Sequence, residues 1–289
     1  MTHESKVWFI TGVSRGFGKI LAETLLADGA TVIGTTRNGS AAIARGRGRL
    51  TLLALEMTDP RAVKEAVETA FGLGRVDVIV NNAGYGLLSS VEEASEEQVA
   101  HLFEVNFHGP RRVIQAALPH LRAQRSGHIV NITSIAGVAP AAGSGYYAAA
   151  KMAVEGMSQS LAREVAPLGI RVTLVEPGAF RTDFLSDRSI RRGGTSIEDY
   201  ATTAGAAERR LATMAGRQPG DPARAAAAII EAVRSDKPPL HLVLGSDAYQ
   251  RTREVLEAFS AELEAWKQVC LGTDFGAAGG VTPPSSPRT

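Results

Sequence analysis

The sequence predicts an α/β fold in which about seven parallel strands form one doubly wound sheet with helices on both faces. Short runs rich in β-branched residues alternate with longer Ala-rich amphipathic stretches, a pattern typical of βαβ units. The short runs are apolar throughout, as expected for strands that are buried on both faces. Because no Pro/Ser-rich linker divides the chain internally, we expect residues 1–275 to form a single domain.

The strands and helices are predicted in alternation along the chain. The short β-branched runs are the strands, at Val7–Thr11, Thr31–Thr35, Leu50–Leu55, Val76–Val80, Ile129–Thr133, Ile170–Val175 and Leu240–Leu244. The longer amphipathic stretches are the helices, at Gly18–Ala27, Pro60–Phe71, Glu96–Arg122, Tyr147–Val165, Pro222–Val233 and Tyr249–Val269.

Two segments break this rhythm. Ser186–Gly205 is rich in Arg, Gly, Ser and Thr, and we expect it to be a long irregular insertion that acts as the substrate loop within a substrate-loop region 186–215. Its cations Arg188, Arg191 and Arg192 either attract an anionic substrate group or form a solvated face. Residues 276–289 have almost nothing to bury, so we expect a mobile tail.

Composition excludes several classes of protein. Thirty-one Lys and Arg residues against thirty Asp and Glu give a net charge of +1, which argues against nucleic-acid and anionic-membrane partners. The apolar run Val7–Ile10 is too short for a signal peptide, and the single Cys270 fits a reducing compartment, so we expect a cytoplasmic protein. No Cys/His spacing predicts a metal site. Gly143-Ser144-Gly145 lacks the full spacing of a hydrolase nucleophile elbow.

A glycine-rich turn follows the first predicted strand. Thr11–Gly18 reads TGVSRGFG, with Gly12, Gly16 and Gly18 placed where the strand gives way to the first helix. Glycines there let the backbone approach a pyrophosphate, which the free N–H groups of the helix stabilise. The alternative is an ordinary glycine-rich turn. The position favours the first interpretation and hence a Rossmann-type dinucleotide fold.

The residues after the second strand indicate which dinucleotide binds. An acid about 20 residues beyond the glycines usually accepts a hydrogen bond from the ribose 2′-hydroxyl of NAD. Thr36 and Arg37 occupy this position, and Arg37 with Arg15 can bind a 2′-phosphate instead. The sequence therefore predicts NADP(H), unless both arginines are simply exposed surface residues.

Five further motifs carry a resemblance to a known family. They are NNAG at Asn81–Gly84, VNFHG around Asn106, ITSIAG around Ser134, YAAAK at Tyr147–Lys151 and EPGAFRT at Glu176–Thr182. In this order the chain resembles the single-domain branch of the short-chain dehydrogenase/reductase family from about residue 5 to residue 185. In detail it resembles bacterial relatives of steroid and retinoid carbonyl reductases. The resemblance implies NADPH-dependent, reversible reduction of a ketone or aldehyde by a homodimer or homotetramer.

Four residues form the expected catalytic set. Tyr147 and Lys151 lie four apart on one helix face, so Lys151 can lower the pKa of the tyrosine that protonates the developing alkoxide. Ser134 can hydrogen-bond the substrate oxygen, although a serine there also fits a helix N-cap. Asn106 interrupts a helical pattern and predicts a kink. The resemblance adds that Lys151 holds the nicotinamide ribose and that Asn106 binds a proton-relaying water.

The remaining expected site residues surround these four. The cofactor site comprises Gly12, Ser14, Arg15, Gly16, Phe17, Gly18, Thr36, Arg37, Glu56, Met57, Asn82, Ala83, Gly84, Tyr147, Lys151, Pro177, Gly178, Phe180 and Thr182. Glu56 stands where the family often has an Asp near the adenine. Small residues after the serine predict a roomy apolar pocket for a medium to large carbonyl compound, with Tyr85, Ala136, Val138 and Phe184 as substrate contacts.

Two other functions remain open at this stage. One is a catalytically silent NADP(H)-binding sensor or scaffold, because a fold alone does not establish an activity. The other is an isomerase or dehydratase that uses bound NADP(H) without net consumption. The presence of all four residues of the catalytic set favours the reductase over the sensor.

Overall fold

A seven-stranded parallel sheet forms the centre of the computed structural model, which describes residues 6–194 and 196–275. The strands are β1 (Val7–Ile10), β2 (Thr31–Thr36), β3 (Arg49–Ala54), β4 (Val78–Asn81), β5 (Gly86–Leu88), β6 (Gly127–Ile132), β7 (Ile170–Pro177), β8 (Ile190–Arg192) and β9 (His241–Leu244). The order β3-β2-β1-β4-β6-β7-β9 reverses between β1 and β4, which opens a crevice at the carboxyl ends of these strands. The predicted fold class is confirmed.

Nine α-helices belong to the described residues: α1 (Gly16–Ala27), α2 (Pro60–Gly72), α3 (Glu96–Phe103), α4 (Gly109–Gln124), α5 (Gly145–Val165), α6 (Ala204–Met214), α7 (Pro222–Arg234), α8 (Ser246–Ala265) and α9 (Lys267–Leu271). The helix predicted over 96–122 is divided by one π-helical turn, Glu104–His108, between α3 and α4. Among these helices none is long and apolar enough to cross a membrane.

Two apolar layers hold the helices against the sheet. Side chains of α2, α4 and α5 pack on one face, where Phe9 of β1 contributes. Side chains of α1 and α7 pack on the other face with Trp8 and Ile10. Neighbouring residues of one strand therefore face opposite layers, which explains why the strands are apolar at every position.

The region 186–215 is more ordered than the sequence predicts. It contains β8, which pairs in parallel with β5 in a separate two-stranded sheet, and it ends in α6. Glu93 accepts a hydrogen bond from the N–H of Ile197 at 2.7 Å, and Gln98 donates one to the carbonyl of Arg192 at 2.8 Å. These contacts fix the backbone of the insertion, and its role as a substrate loop stays a prediction.

The described residues fall into two compact units, which divide between Thr252 and Arg253. The first unit carries the whole sheet and the site described below. In the second unit, the described residues continue α8 and form α9. The single domain over 1–275 stays a prediction, and the expected mobile tail at 276–289 lies outside the described residues.

Candidate active site

The glycine-rich turn is joined to the end of β4 by a hydrogen-bonded cluster. The hydroxyl of Thr11 accepts the backbone N–H groups of Asn82 and Ala83, each at 3.0 Å. The side-chain nitrogen of Asn82 donates in return to the carbonyls of Thr11 and Gly12, both at 2.9 Å. A β-carbon at Gly18 would collide with this Asn82 amide. The turn and the NNAG segment therefore form one rigid wall.

The first turn of α1 offers free donors beside that wall. Gly12 and Gly16 have φ angles of +73° and +57°, which glycine adopts without strain. No side chain in the described part of the chain caps the N-terminus of α1. Its N–H groups and its positive dipole end are therefore available to a pyrophosphate.

Ser134, Tyr147 and Lys151 meet at the carboxyl end of β6. Ser134 follows β6 and caps a short 3₁₀ turn by accepting the N–H of Ala136 at 3.1 Å, so the N-cap interpretation holds as well. Tyr147 lies in the first turn of α5 and lines the same cavity as Ser134. The Nζ atom of Lys151 lies 5.8 Å from the centre of the Tyr147 ring and donates to the carbonyl of Ile132 at 2.9 Å.

Burial shifts the pKa values of Tyr147 and Lys151. Loss of hydration raises the pKa of Tyr147 to about 12, and the hydrogen bond with Ser134 acts in the opposite direction. This net shift is opposite in direction to the lowering expected from Lys151, because desolvation of the phenolate is the largest cause. Burial lowers the pKa of Lys151 to about 8, against the raising effect of the Glu155 carboxylate. At neutral pH the tyrosine is therefore protonated and most of the lysine carries its charge.

Asn106 lies in the π-helical turn between α3 and α4, at the predicted kink. Its side-chain oxygen accepts the N–H of Tyr85 at 3.1 Å, and its side-chain nitrogen donates to the carbonyl of Tyr85 at 2.7 Å. A β-carbon at Gly84 would lie 3.1 Å from the Asn106 oxygen and 3.7 Å from Nζ of Lys151. The π-helical turn thus directs the Asn106 side chain towards the segment Gly84–Tyr85, which lies beside Lys151.

A cavity of about 640 Å³ connects the glycine-rich turn with the serine, tyrosine and lysine. Its volume lies within the range typical of small-molecule and cofactor sites. Every residue predicted for catalysis, cofactor or substrate lines it, except for Gly18, Asn106 and Val138. Gly18 and Asn106 do not line the cavity themselves, but they contact residues that do: Gly18 lies against Asn82, and Asn106 binds Tyr85. Val138 packs instead in an apolar cluster with Ile135, Ala139 and Ala248, so the structure does not bring it to the substrate.

Two cofactor residues make contacts that the sequence does not predict. The guanidinium of Arg15 donates to the hydroxyl of Ser189 at 2.9 Å and to the carbonyl of Arg188 at 2.8 Å. It therefore binds the 186–215 region, and Arg37 is left as the exposed cation that follows β2. The Glu56 carboxylate accepts the N–H and the hydroxyl of Thr58, which orients it within its own turn.

Several residues that line the cavity are not predicted from the sequence. Asp247 accepts the N–H of Ala179 at 2.8 Å and lies against Gly178, so it orients the loop after β7. Leu211 and Met214 of α6 supply apolar wall. The Asp lies 69 positions beyond Gly178, and α6 is not among the helices predicted from the sequence, so only the fold brings these residues to the cavity.

A dinucleotide-type α/β fold with a serine, a tyrosine and a lysine at its switch-point crevice defines a class of oxidoreductases. Residues 6–192 match the family model described as short chain dehydrogenase. Oxidoreductase BOA17 of Botryotinia fuckeliana is 37% identical over 274 residues, covering 93% of this chain and 99% of the relative. A 3-ketodihydrosphingosine reductase of Bacteroides thetaiotaomicron is 38% identical over 84% of this chain and 88% of its own length.

A solved structure is similar over nearly the whole chain. The crystal structure of a short-chain dehydrogenase from Streptomyces avermitilis has a TM-score of 0.86 and 39% identity, with 95% of this chain and all of that chain covered. The chain belongs to the short-chain dehydrogenase family. It is an oxidoreductase of the class that acts on CH–OH and C=O groups. The resemblance seen in the sequence is confirmed.

Proposed function

We propose that this protein is an NADPH-dependent reductase of ketones or aldehydes that also works in reverse as an alcohol dehydrogenase. The observation that carries the proposal is the convergence of Ser134, Tyr147 and Lys151 on a cavity that begins at an uncapped, glycine-rich helix N-terminus. The 3-keto substrate in the name of the Bacteroides relative is consistent with carbonyl reduction. Bound reduced nicotinamide supplies the hydride.

In the proposed reaction, the side chains of the protein bind the substrate oxygen and supply one proton to it. Ser134 donates a hydrogen bond to the substrate oxygen, and this bond strengthens as negative charge develops there. The Tyr147 hydroxyl gives its proton to that oxygen, which is favourable because an alkoxide is a stronger base than a phenolate. The Lys151 ammonium stabilises the phenolate that remains. Burial raises the pKa of Tyr147 to about 12, so its hydroxyl is protonated at neutral pH and can act as the donor.

NADPH is proposed because of the charge at the end of β2. Thr36 ends the strand and the exposed Arg37 follows it, both at the cavity. A guanidinium can bind a 2′-phosphate through paired hydrogen bonds, whereas a carboxylate at this position would repel it. The Gly12 and Gly16 turn fits the pyrophosphate of the same cofactor.

An apolar substrate is proposed because of the walls beyond the tyrosine. Phe184 lies 6.0 Å from the Tyr147 ring between centroids, and Leu88, Leu211 and Met214 extend this wall. Tyr85 is held by a hydrogen bond to His101 at 2.9 Å and stacks under Arg191, one of the arginines that line the cavity. We infer a medium to large, mostly apolar carbonyl compound.

The experiment follows cofactor and product together with 2-ketones of increasing chain length. A reductase consumes one NADPH for each alcohol formed. Catalytic efficiency should rise with each buried methylene, by up to about fourfold at about 0.8 kcal/mol. In Leu211→Ala, catalytic efficiency should rise less with each added methylene, because part of the apolar wall is removed. Product formation without net NADPH consumption would identify the isomerase or dehydratase, and tight NADPH binding without turnover in either direction would identify the sensor.

A homodimer or homotetramer is proposed from the family resemblance, with α4 and α5 as its surface. Met152 of α5 is 41% exposed in the single chain and offers an apolar contact there. Sedimentation equilibrium of the wild type and of Met152→Glu checks this surface. A monomeric wild type would contradict it.

A further inference from the structure

Three side chains that can act as metal ligands converge at the edge of the sheet, outside the cavity. Glu155 comes from α5, Glu176 from β7 and His241 from the edge strand β9. The Nδ1 atom of His241 lies 2.6 Å from Oε1 of Glu176 and 3.9 Å from Oε2 of Glu155. One potential ligand atom from each residue falls within 4.8 Å of the other two. None of the three lines the catalytic cavity.

The parallel register explains why these side chains meet. His241 pairs with Leu174, and residues 174 and 176 project to the same face of β7. Val172 on that face packs with Leu161 of α5, so this is the face that α5 covers. Glu155 and Lys151 are one helical turn apart, which places the cluster below the catalytic lysine.

Glu155 is the observation that points to a ligand. Its side chain is 6% exposed, and that of Glu176 is 1% exposed. Thr133 and the Glu176 carboxyl lie beside it, but neither carboxyl oxygen of Glu155 has a satisfied hydrogen bond among the described residues. A buried carboxyl group without a partner costs free energy, and the adjoining carboxylate adds repulsion. Two such groups side by side are stabilised by a shared proton or by a bound cation.

Donor types and access favour a cation. Zinc is bound at about 2.0–2.2 Å by imidazole nitrogen and carboxylate oxygen, which places tetrahedral ligands about 3.4 Å apart. The observed 2.6 and 3.9 Å separations lie on either side of that value. The His241 side chain is 44% exposed, so its ring can adjust and a water molecule can reach the fourth position. Mg²⁺ and Ca²⁺ need six or more oxygen ligands, more than this cluster offers.

We propose that Glu155, Glu176 and His241 bind one divalent transition-metal ion, with Zn²⁺ as the best match and water as the fourth ligand. Cys/His spacing does not reveal this site, because its ligands are 21 and 65 positions apart in the chain. The ion joins α5, which carries Tyr147 and Lys151, to β7 and β9. Because it binds the folded chain, it stabilises this framework rather than entering the reaction.

The test is a metal-binding titration of the full-length protein after removal of metal with a chelator. Zn²⁺ is measured by calorimetry, and Co²⁺ by the visible absorption of tetrahedral cobalt. We expect one equivalent to bind and to raise the melting temperature. Loss of a hydrogen-bonding partner of a metal ligand weakens affinity by about 10–100-fold, so His241→Ala and Glu155→Gln should weaken it at least tenfold.

His120→Ala is the matched control. His120 also pairs with a carboxylate, Glu68, at 3.1 Å, but in an exposed pair that lacks a buried second carboxylate. This variant should bind zinc as the wild type does. If Glu155→Gln does not fold, the His241→Ala variant alone tests the site. His241 is nearly half exposed, so its replacement should leave the fold intact. Wild-type binding no tighter than that of His241→Ala would overturn the proposal and leave the cluster closed by a shared proton.

Discussion

The side-chain amide of Asn106 holds the backbone of Tyr85 by both its N–H and its carbonyl, at 3.1 and 2.7 Å. Asn106 is 1% exposed, so the two backbone groups of Tyr85 have little access to water. The contact fixes the segment Gly84–Tyr85 beside Lys151. The π-helical turn that carries Asn106 therefore helps to position this part of the site.

Replacing Asn106 should therefore reduce stability and activity together. In Asn106→Leu both groups of Tyr85 lose their partner, and each unsatisfied buried group costs about 1–3 kcal/mol. We expect a lower urea midpoint and a lower kcat. Lys64→Gln on the exposed face of α2 is the control and should change neither. Full activity in a stably folded Asn106→Leu protein would contradict this role.

Gly18→Ala should weaken cofactor binding. The added methyl group would collide with the Asn82 amide and the carbonyl of Gly12, and overpacking of this kind costs about 1–3 kcal/mol. We expect NADPH affinity, measured by fluorescence titration, to fall by about tenfold or more.

A second glycine in a helix provides the matched control for that substitution. Gly156 lies in α5 with nothing within 4 Å of an added β-carbon. Gly156→Ala should leave NADPH affinity unchanged and stabilise the fold by about 0.5–1 kcal/mol. Equal NADPH affinity in both variants would show that the Gly18 contact has no role in the cofactor site.

Arg37 and Arg15 should have different effects on cofactor choice. Hydrogen bonds to charged groups contribute about 1.5–3 kcal/mol, so Arg37→Ala should reduce the preference for NADPH over NADH by about 10- to 100-fold. Thr36→Asp added to it should favour NADH. Arg15→Ala should change the KM for substrate more than the preference, since Arg15 binds Ser189 and Arg188. The measurement is kcat/KM for both cofactors, and an unchanged ratio in Arg37→Ala would refute the 2′-phosphate contact.

His128 should make the fold sensitive to mild acid. Burial lowers its pKa to about 4, and Nε2 hydrogen-bonds Thr173 at 2.9 Å. In the unfolded chain the pKa is about 6.5, so the unfolded state binds more protons and stability falls as pH drops from about 6.5 towards 4. At pH 5 this loss amounts to about 2 kcal/mol relative to pH 8. Urea unfolding of His128→Gln should show a loss smaller by that amount, and identical pH dependence would contradict it.

The sequence predicts most of the sheet and the reactive groups because both depend on local patterns. Apolar runs locate strands such as β6 and β7, and Ser134, Tyr147 and Lys151 lie at the ends of elements that these runs define. Asn106 is likewise foreseen from its poor fit in a helix, although a π-helical turn is not.

What the sequence does not predict depends on contacts between distant positions. The Asp247 contact with Ala179 spans 68 positions, and the Arg15 contact with Ser189 spans 174. The pairing of β5 with β8 joins two strands of only three residues each, too short for a periodic signal. The raised pKa of Tyr147 is not predicted, because desolvation depends on the folded surroundings, whereas helix spacing reveals only the neighbouring lysine.

The most direct measurement compares wild type with Tyr147→Phe, using NADPH and the best ketone from the chain-length series. We expect equal NADPH affinity in the two proteins. Turnover in the variant should fall by at least about a hundredfold, since a positioned general acid contributes about 10²–10⁴-fold. Turnover in Tyr147→Phe within a few-fold of wild type would show that another group supplies the proton, and the proposed mechanism would be wrong.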